Sequence, residues 1–136
     1  MSAASQPIGT RRREVLPRRM RVRKRKDFLA IQSSPKKASG RHLLVLALAQ
    51  RPHEASARLQ SRVGITVSRK VGNAVVRNRV KRWIRESFRR HMAQMAKGAR
   101  GFDMVVIARP SAALAGLTET QAELGRLIDR LVGRGG

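Results

Sequence analysis

The stretch Ile65-Thr66-Val67-Ser68-Arg69-Lys70-Val71-Gly72-Asn73-Ala74-Val75-Val76-Arg77-Asn78-Arg79-Val80-Lys81-Arg82-Trp83-Ile84-Arg85-Glu86-Ser87-Phe88 changes its period partway along. With Val63 and Gly64 before it, the first part alternates: Val63, Ile65 and Val67 against Gly64, Thr66 and Ser68. A period of two is a strand, with one face for a core and the other lined by small polar groups. Val71-Gly72-Asn73 reads as a turn, and a helix is predicted from Ala74 to about Lys97. At about 100° per residue, Val76, Val80, Trp83, Ile84, Ser87 and Phe88 fall within an arc of roughly 140°. Asn78, Lys81, Arg82, Arg85 and Arg89 occupy a separate arc of roughly 100°. One helix therefore shows an apolar stripe to the interior and a cationic stripe to the outside.

The flanking sequence supplies the rest of a small α+β unit. Phe28 and Ile31, three apart within Asp27–Ile31, predict a short helix, which Ser33-Ser34-Pro35 ends, and Pro35 to Gly40 reads as a loop. His42 to Ala49 predicts a buried strand, Arg51 to Gln60 a polar connection, and Phe102 to Ala108 a further strand closed by Pro110. Leu124, Leu127, Ile128 and Leu131 support a last helix beginning near Thr118, with Glu119 and Glu123 biasing its N-terminus. This gives helix, strand, strand, helix, strand, helix, with the helices packed on one sheet. Residues 1–20 read as a basic flexible tail and residues 21–133 as a single domain.

The chain has 136 residues, 31 Lys and Arg against 8 Asp and Glu, and a formal net charge of +23. So cationic a particle calls for a polyanionic partner. Ten basic residues lie between Arg11 and Lys26 and nine between Arg69 and Arg90, so the charge is concentrated on a binding face rather than spread for solubility. The absence of cysteine excludes disulfide-stapled and zinc-finger folds. The longest apolar run, Leu43 to Ala49, is far short of the roughly 18 residues of a membrane span. The first 27 residues carry no apolar segment of secretory type, so no membrane association and a cytoplasmic location are expected.

A protein-only catalyst would need a nucleophile with its base, an acid–base pair or a metal cage. His42, His53 and His91 sit apart with no paired spacing, and neither a P-loop nor a GxGxxG is present. No residue set points to bond cleavage by this chain alone. Seven of the nine cations from Arg69 to Arg90 are Arg, whose guanidinium grips phosphate oxygens in a bidentate way. Asn78 adds an amide able to read a base edge or a 2′-hydroxyl. The segment lacks the helix pair of a DNA-reading motif, which favours RNA. Of the four aromatics (Phe28, Trp83, Phe88 and Phe102), Phe28 is the one placed to stack on an unpaired base.

The same stretch closely resembles the signature of the protein subunit of bacterial ribonuclease P. That signature is GNAVxRNRxKRxxRE, and Gly72 to Glu86 fill every fixed position. The likeness extends more loosely over residues 20–132. It implies a small two-layer α/β sandwich in the order αβββαβα with a left-handed βαβ crossover, the ribosomal-protein-S5-domain-2-like arrangement. The additional strand would fall within residues 41–62. The resemblance further implies two partners, ribonuclease P RNA and precursor tRNA, with one protein per RNA. The RNA removes the 5′ leader by hydrolysis using Mg2+ that it holds itself. The candidate RNA-binding residues are then Arg69, Lys70, Arg77, Asn78, Arg79, Lys81, Arg82, Arg85 and Arg89. The candidate leader cleft comprises Lys26, Phe28, Thr66, Ser68 and Lys70. Where family members often carry two further aromatics, this chain has Gln32 and Leu46, so charge would do more of the leader binding. A basic ribosomal-RNA-binding protein with no role in cleavage is the alternative.

Overall fold

The helix that carries the signature is capped by its own sequence. The side-chain Oδ1 of Asn73 accepts the amide of Val76 at 3.0 Å, satisfying one of the donors a helix start leaves open. In the computed structural model, which describes residues 16, 20–33, 36–50, 61–94 and 101–133, this helix is α2 (Ala74–Gln94). It is preceded by α1 (Arg25–Gln32), β1 (Lys37–Ser39), β2 (Leu43–Ala49) and β3 (Arg62–Thr66). It is followed by β4 (Phe102–Ala108), a 3-10 turn (Pro110–Leu114) and α3 (Gly116–Ile128), which runs on into a π-helical turn. The order αβββαβα is that of the resemblance.

The sheet order is β1-β2-β4-β3. β2 pairs antiparallel with β1 and β4, whereas β3 and β4 pair in parallel and are joined through α2. Alternation divides the sheet into two faces. Ala38, Leu43, Val45, Ala47, Val63, Met104 and Val106 meet Val80, Ile84 and Phe88 of α2 and Leu124, Leu127 and Ile128 of α3 in the main core. Leu46 and Val105 point the other way and meet Val22 and Ile31, with Phe28, Leu44 and Ile107 around them. The first face is covered by two long helices, the second by the short α1.

Three expectations are corrected. The extra strand is β1 at Lys37–Ser39, ahead of residues 41–62 and inside the segment read as a loop. Three residues on a sheet edge are too few to show a period. The basic tail does not extend to residue 20, because Leu16 (1% exposed) and Met20 belong to the main core. Val15-Leu16 and Met20, separated by Pro17 and two arginines, repeat no period to detect. The rest of residues 1–20, like the connection at 51–60, lies outside the described residues. Trp83 is only half-buried at the margin of the core, whereas Glu86 is buried. The Trp83 ring carries the Arg79 guanidinium, and Glu86 is covered by Arg89 and Arg90, the latter also bonded to Gln121 of α3.

Polar contacts bind the far end of the sheet to α3. The buried Glu123 carboxylate (2% exposed) accepts the backbone amides of His42 at 2.9 Å and Leu43 at 2.8 Å. Those bonds offset the cost of removing a carboxylate from water. Gly40 makes room, since a Cβ there would lie 2.4 Å from Glu123 Oε2. The His42 ring bridges Ser111 Oγ at 2.7 Å and Glu119 Oε2 at 2.8 Å, tying the 3-10 turn and α3 to the start of β2.

Phe88 is fully buried (0% exposed) between the sheet and α3. Phe88→Ala is expected to cost about 3–5 kcal/mol in stability. Trp83→Ala is expected to cost clearly less. Urea unfolding of both variants checks the order, and a larger loss for Trp83→Ala would contradict the orientation of α2.

Candidate nucleic-acid interface

Rotation of α2 about its axis decides which of its cations face water. With Val80, Ile84 and Phe88 in the core, Asn78 and Arg82 are exposed, and Arg77, Arg79, Lys81 and Arg85 are half-exposed. Arg69 and Lys70 stand exposed in the turn before the helix, where Ser68 Oγ accepts the amide of Lys70 at 3.3 Å. Eight of the nine candidate RNA-binding residues thus line the turn and one side of α2. Arg77 Nε donates to the Gly72 carbonyl at 3.2 Å, and the Arg79 guanidinium lies over the Trp83 ring, 5.6 Å from its centroid. Both side chains are oriented before any ligand arrives, which lowers the entropy they lose on binding. The half-buried Trp83 therefore packs against the core on one side and seats a cation–π contact with Arg79 on the other.

Arg89 behaves differently. Its Nη2 donates to Glu86 Oε2 at 2.7 Å, and Arg90 Nε donates to the same oxygen at 2.6 Å. Burial raises the Glu86 pKa, but the hydrogen bonds and charges of Arg89 and Arg90 outweigh it and hold the carboxyl below its ordinary value. Among the described residues Arg89 is the one member of the predicted RNA-binding set paired to a carboxylate. For Arg85, burial first and the Arg21 charge second lower the guanidinium pKa.

The candidate cleft lies on the second face of the sheet. Phe28 of α1 is half-buried over Gly64, where a Cβ would come within 2.5 Å of Phe28 Cζ. Only a glycine in β3 lets the ring settle this low. Thr66 shares that face with Gly64 and pairs with Ile107 in the sheet, while Ser68 lies beyond the strand. Phe28, Thr66, Leu44 and Ile107 are all partly exposed, giving a shallow surface with apolar and hydroxyl groups side by side. Lys26 is exposed on α1. Leu46 is buried beneath α1, and Gln32 is exposed at its end. The position that would carry an aromatic in relatives is thus part of the floor's packing here.

Several residues the sequence reading passed over shape this region. Arg62 binds Asp103 through two bonds, Nε at 2.9 Å and Nη2 at 2.6 Å, and the two are direct partners in the parallel pairing of β3 and β4. Arg109, just after β4, donates from Nη2 to Ser39 Oγ. These pairings connect residues about 40 and 70 positions apart, and no local pattern in one chain announces them.

The family model for Ribonuclease P matches residues 16–132. A ribonuclease P protein component from Desulfovibrio desulfuricans is 40% identical over 122 residues, covering 88% of each chain. That of Thermotoga maritima is 42% identical over 96 residues, covering 71% of this chain and 74% of the relative. Among solved structures, the RNase P protein of Staphylococcus aureus superposes with a TM-score of 0.68 at 31% identity, covering 82% of this chain and 94% of the other. The RNase P protein of Thermotoga maritima gives 0.61 at 33% identity, covering 84% and 96%.

Because the Glu86 carboxyl is held below its ordinary value of 4.5, its contribution to stability is complete above that pH. It is lost as the pH falls through the lower native value. Glu86→Gln is therefore expected to lower stability at pH 7 and to flatten the acid side of the stability profile. Unfolding midpoints at pH 7 and below pH 4 measure this, and parallel profiles would contradict it.

Proposed function

The chain belongs to the ribonuclease P protein family, and from that premise we propose how it divides the work of binding. It is the protein subunit of ribonuclease P, an endonuclease of tRNA processing that acts as a ribonucleoprotein, and its partner is ribonuclease P RNA. The matches do not favour the ribosomal-RNA alternative. In our reading the cationic side of α2, with Arg77, Asn78, Arg79, Lys81, Arg82 and Arg85, lies against the RNA subunit, and Arg69 and Lys70 extend that contact. Arg89 contributes less, since Glu86 already neutralises it. The observation that carries the reading is the division of α2, whose Val80, Ile84 and Phe88 are sealed in the core while the opposite side carries cations without carboxylate partners among the described residues.

The second face of the sheet would receive the 5′ leader of precursor tRNA. Phe28 offers a ring edge and part of its face to an unpaired base, Thr66 and Ser68 offer hydroxyls, and Lys26 and Lys70 offer charge to its backbone. Hydrolysis falls to the RNA subunit, and the Mg2+ is assigned to that RNA. Among the described residues no group of three His, Asp or Glu is placed to hold a metal ion. One protein per RNA fits a single cationic helix face, and the cytoplasm is the compartment where such a particle would work. No described helix is long and apolar enough to cross a membrane.

Reconstitution tests the proposal. Added to a bacterial ribonuclease P RNA at low Mg2+, the protein is expected to restore 5′ leader removal from precursor tRNA, and unchanged cleavage would overturn the assignment. Arg79→Ala is expected to weaken RNA binding with little change in melting temperature. The log of the association constant should fall with log salt by about 0.7–0.9 per phosphate neutralised. Phe28→Ala should reduce affinity for precursor more than for leaderless tRNA, by about 1–3 kcal/mol per stacked base. Equal losses for the two tRNAs would remove Phe28 from the leader site.

A further inference from the structure

We infer that Val75 and Arg79 form a platform on α2 for one unpaired nucleobase of the ribonuclease P RNA, with the Asn78 amide at the edge of that base. The inference rests on the reading of α2 as the RNA-facing helix and adds an apolar, base-directed contact to a surface otherwise cationic.

Val75 is the exception on that surface. It is 71% exposed, whereas the next valines of the helix, Val76 and Val80, pack against or within the main core. Seven residues separate it from the exposed Arg82, so the two lie about 20° apart on the side away from Val80 and Ile84. Asn78 and Arg79 follow three and four residues later and are its neighbours on the helix surface. A branched side chain at this place gains nothing for the fold. It has a lower helix propensity than alanine, and it takes no part in either apolar cluster. Its methyl groups have no attraction to phosphate either, but they gain from a flat surface that water leaves.

Arg79 supplies the partner for that surface. Its guanidinium is held over the Trp83 ring, 5.6 Å from the centroid, and the side chain is half-exposed, so the group is anchored from below and open from above. Among the described residues no carboxylate pairs with it. Guanidinium planes stack on nucleobases as well as on aromatic rings. A base placed there completes the order indole, guanidinium, base, with the Val75 methyls against its side. A base inside a duplex has neighbours on both faces, so the base that fits is one turned out of its stack. The exposed Asn78 amide, with both a donor and an acceptor, can then bond its edge.

The test measures the affinity of the full chain for ribonuclease P RNA across a salt series, with melting temperatures and chemical probing of unpaired bases alongside. Val75→Ala is expected to weaken binding about fivefold. Its log–log salt slope should be unchanged because no charge is lost, and its melting temperature equal or higher. Arg79→Lys keeps the charge without the plane, so it should lose a similar factor, again at the wild-type slope. In both variants one unpaired nucleotide shielded by the wild-type protein should regain its reactivity. Wild-type affinity in Val75→Ala would overturn the inference, as would losses unaccompanied by any such nucleotide. Full affinity in Arg79→Lys would make Arg79 a phosphate contact and likewise overturn it. So would a loss confined to precursor tRNA binding by the assembled particle, which would place the base on the substrate. Arg82→Gln separates the two readings. If it weakens binding and flattens the slope while Val75→Ala and Arg79→Lys do neither, α2 faces RNA and only the platform fails. If none of the three has an effect, the RNA-facing helix fails with it.

Discussion

The packing of Val80, Ile84 and Phe88 between the sheet and α3 sets the rotation of α2, and the cationic surface depends on that rotation. A turn of one residue position would swing the helix by about 100° and carry the guanidinium groups toward the interior. Burial of a large apolar side chain contributes about 1.5–3 kcal/mol, and three such anchors make that rotation costly. Function here is an orientation held by hydrophobic contact. The cations cannot hold it themselves, because they repel one another.

The same logic governs the second face. α1 is eight residues long, too short to be stable alone, and it is held by Ile31 and Phe28 against Leu46, Val105 and the bare backbone of Gly64. Phe28 therefore has two duties, anchoring α1 and presenting what remains of its ring. The Arg62 bond to Asp103 and the contact of Arg62 with Asp27 tie β3, β4 and α1 together at one end of this surface. On the proposed reading, leader binding and the stability of α1 would be coupled through one aromatic ring.

What the sequence revealed and what it hid follow from range. β3 and α2 were legible because each repeats its period long enough to register, β4 as an apolar stretch closed by Pro110, and the cationic arc of α2 by the helical period. β1 was hidden because three residues have no period, and Leu16 and Met20 because a few apolar residues interrupted by Pro17 and arginines resemble a solvated arm. The burial of Glu86 depends on Arg89 and on Arg90, which reaches Gln121 of α3 about 30 positions away. Glu119 and Glu123, read as a first-turn charge bias, turn out to hold His42 and its backbone from about 80 residues away. The ribonuclease P signature was legible as a motif, yet a motif does not say that Arg89 is spoken for.

Glu86 also shapes how the helix is seen from a distance. Shared by Arg89 and Arg90, its single carboxylate offsets one positive charge in the C-terminal half of α2, whereas among the described residues no carboxylate pairs with Arg77, Arg79, Lys81 or Arg82. A uniformly charged rod would let a sugar–phosphate strand slip along it with no preferred stopping point. On the proposed reading, a rod whose field weakens halfway would bias a docked strand toward its N-terminal end without reading a single base.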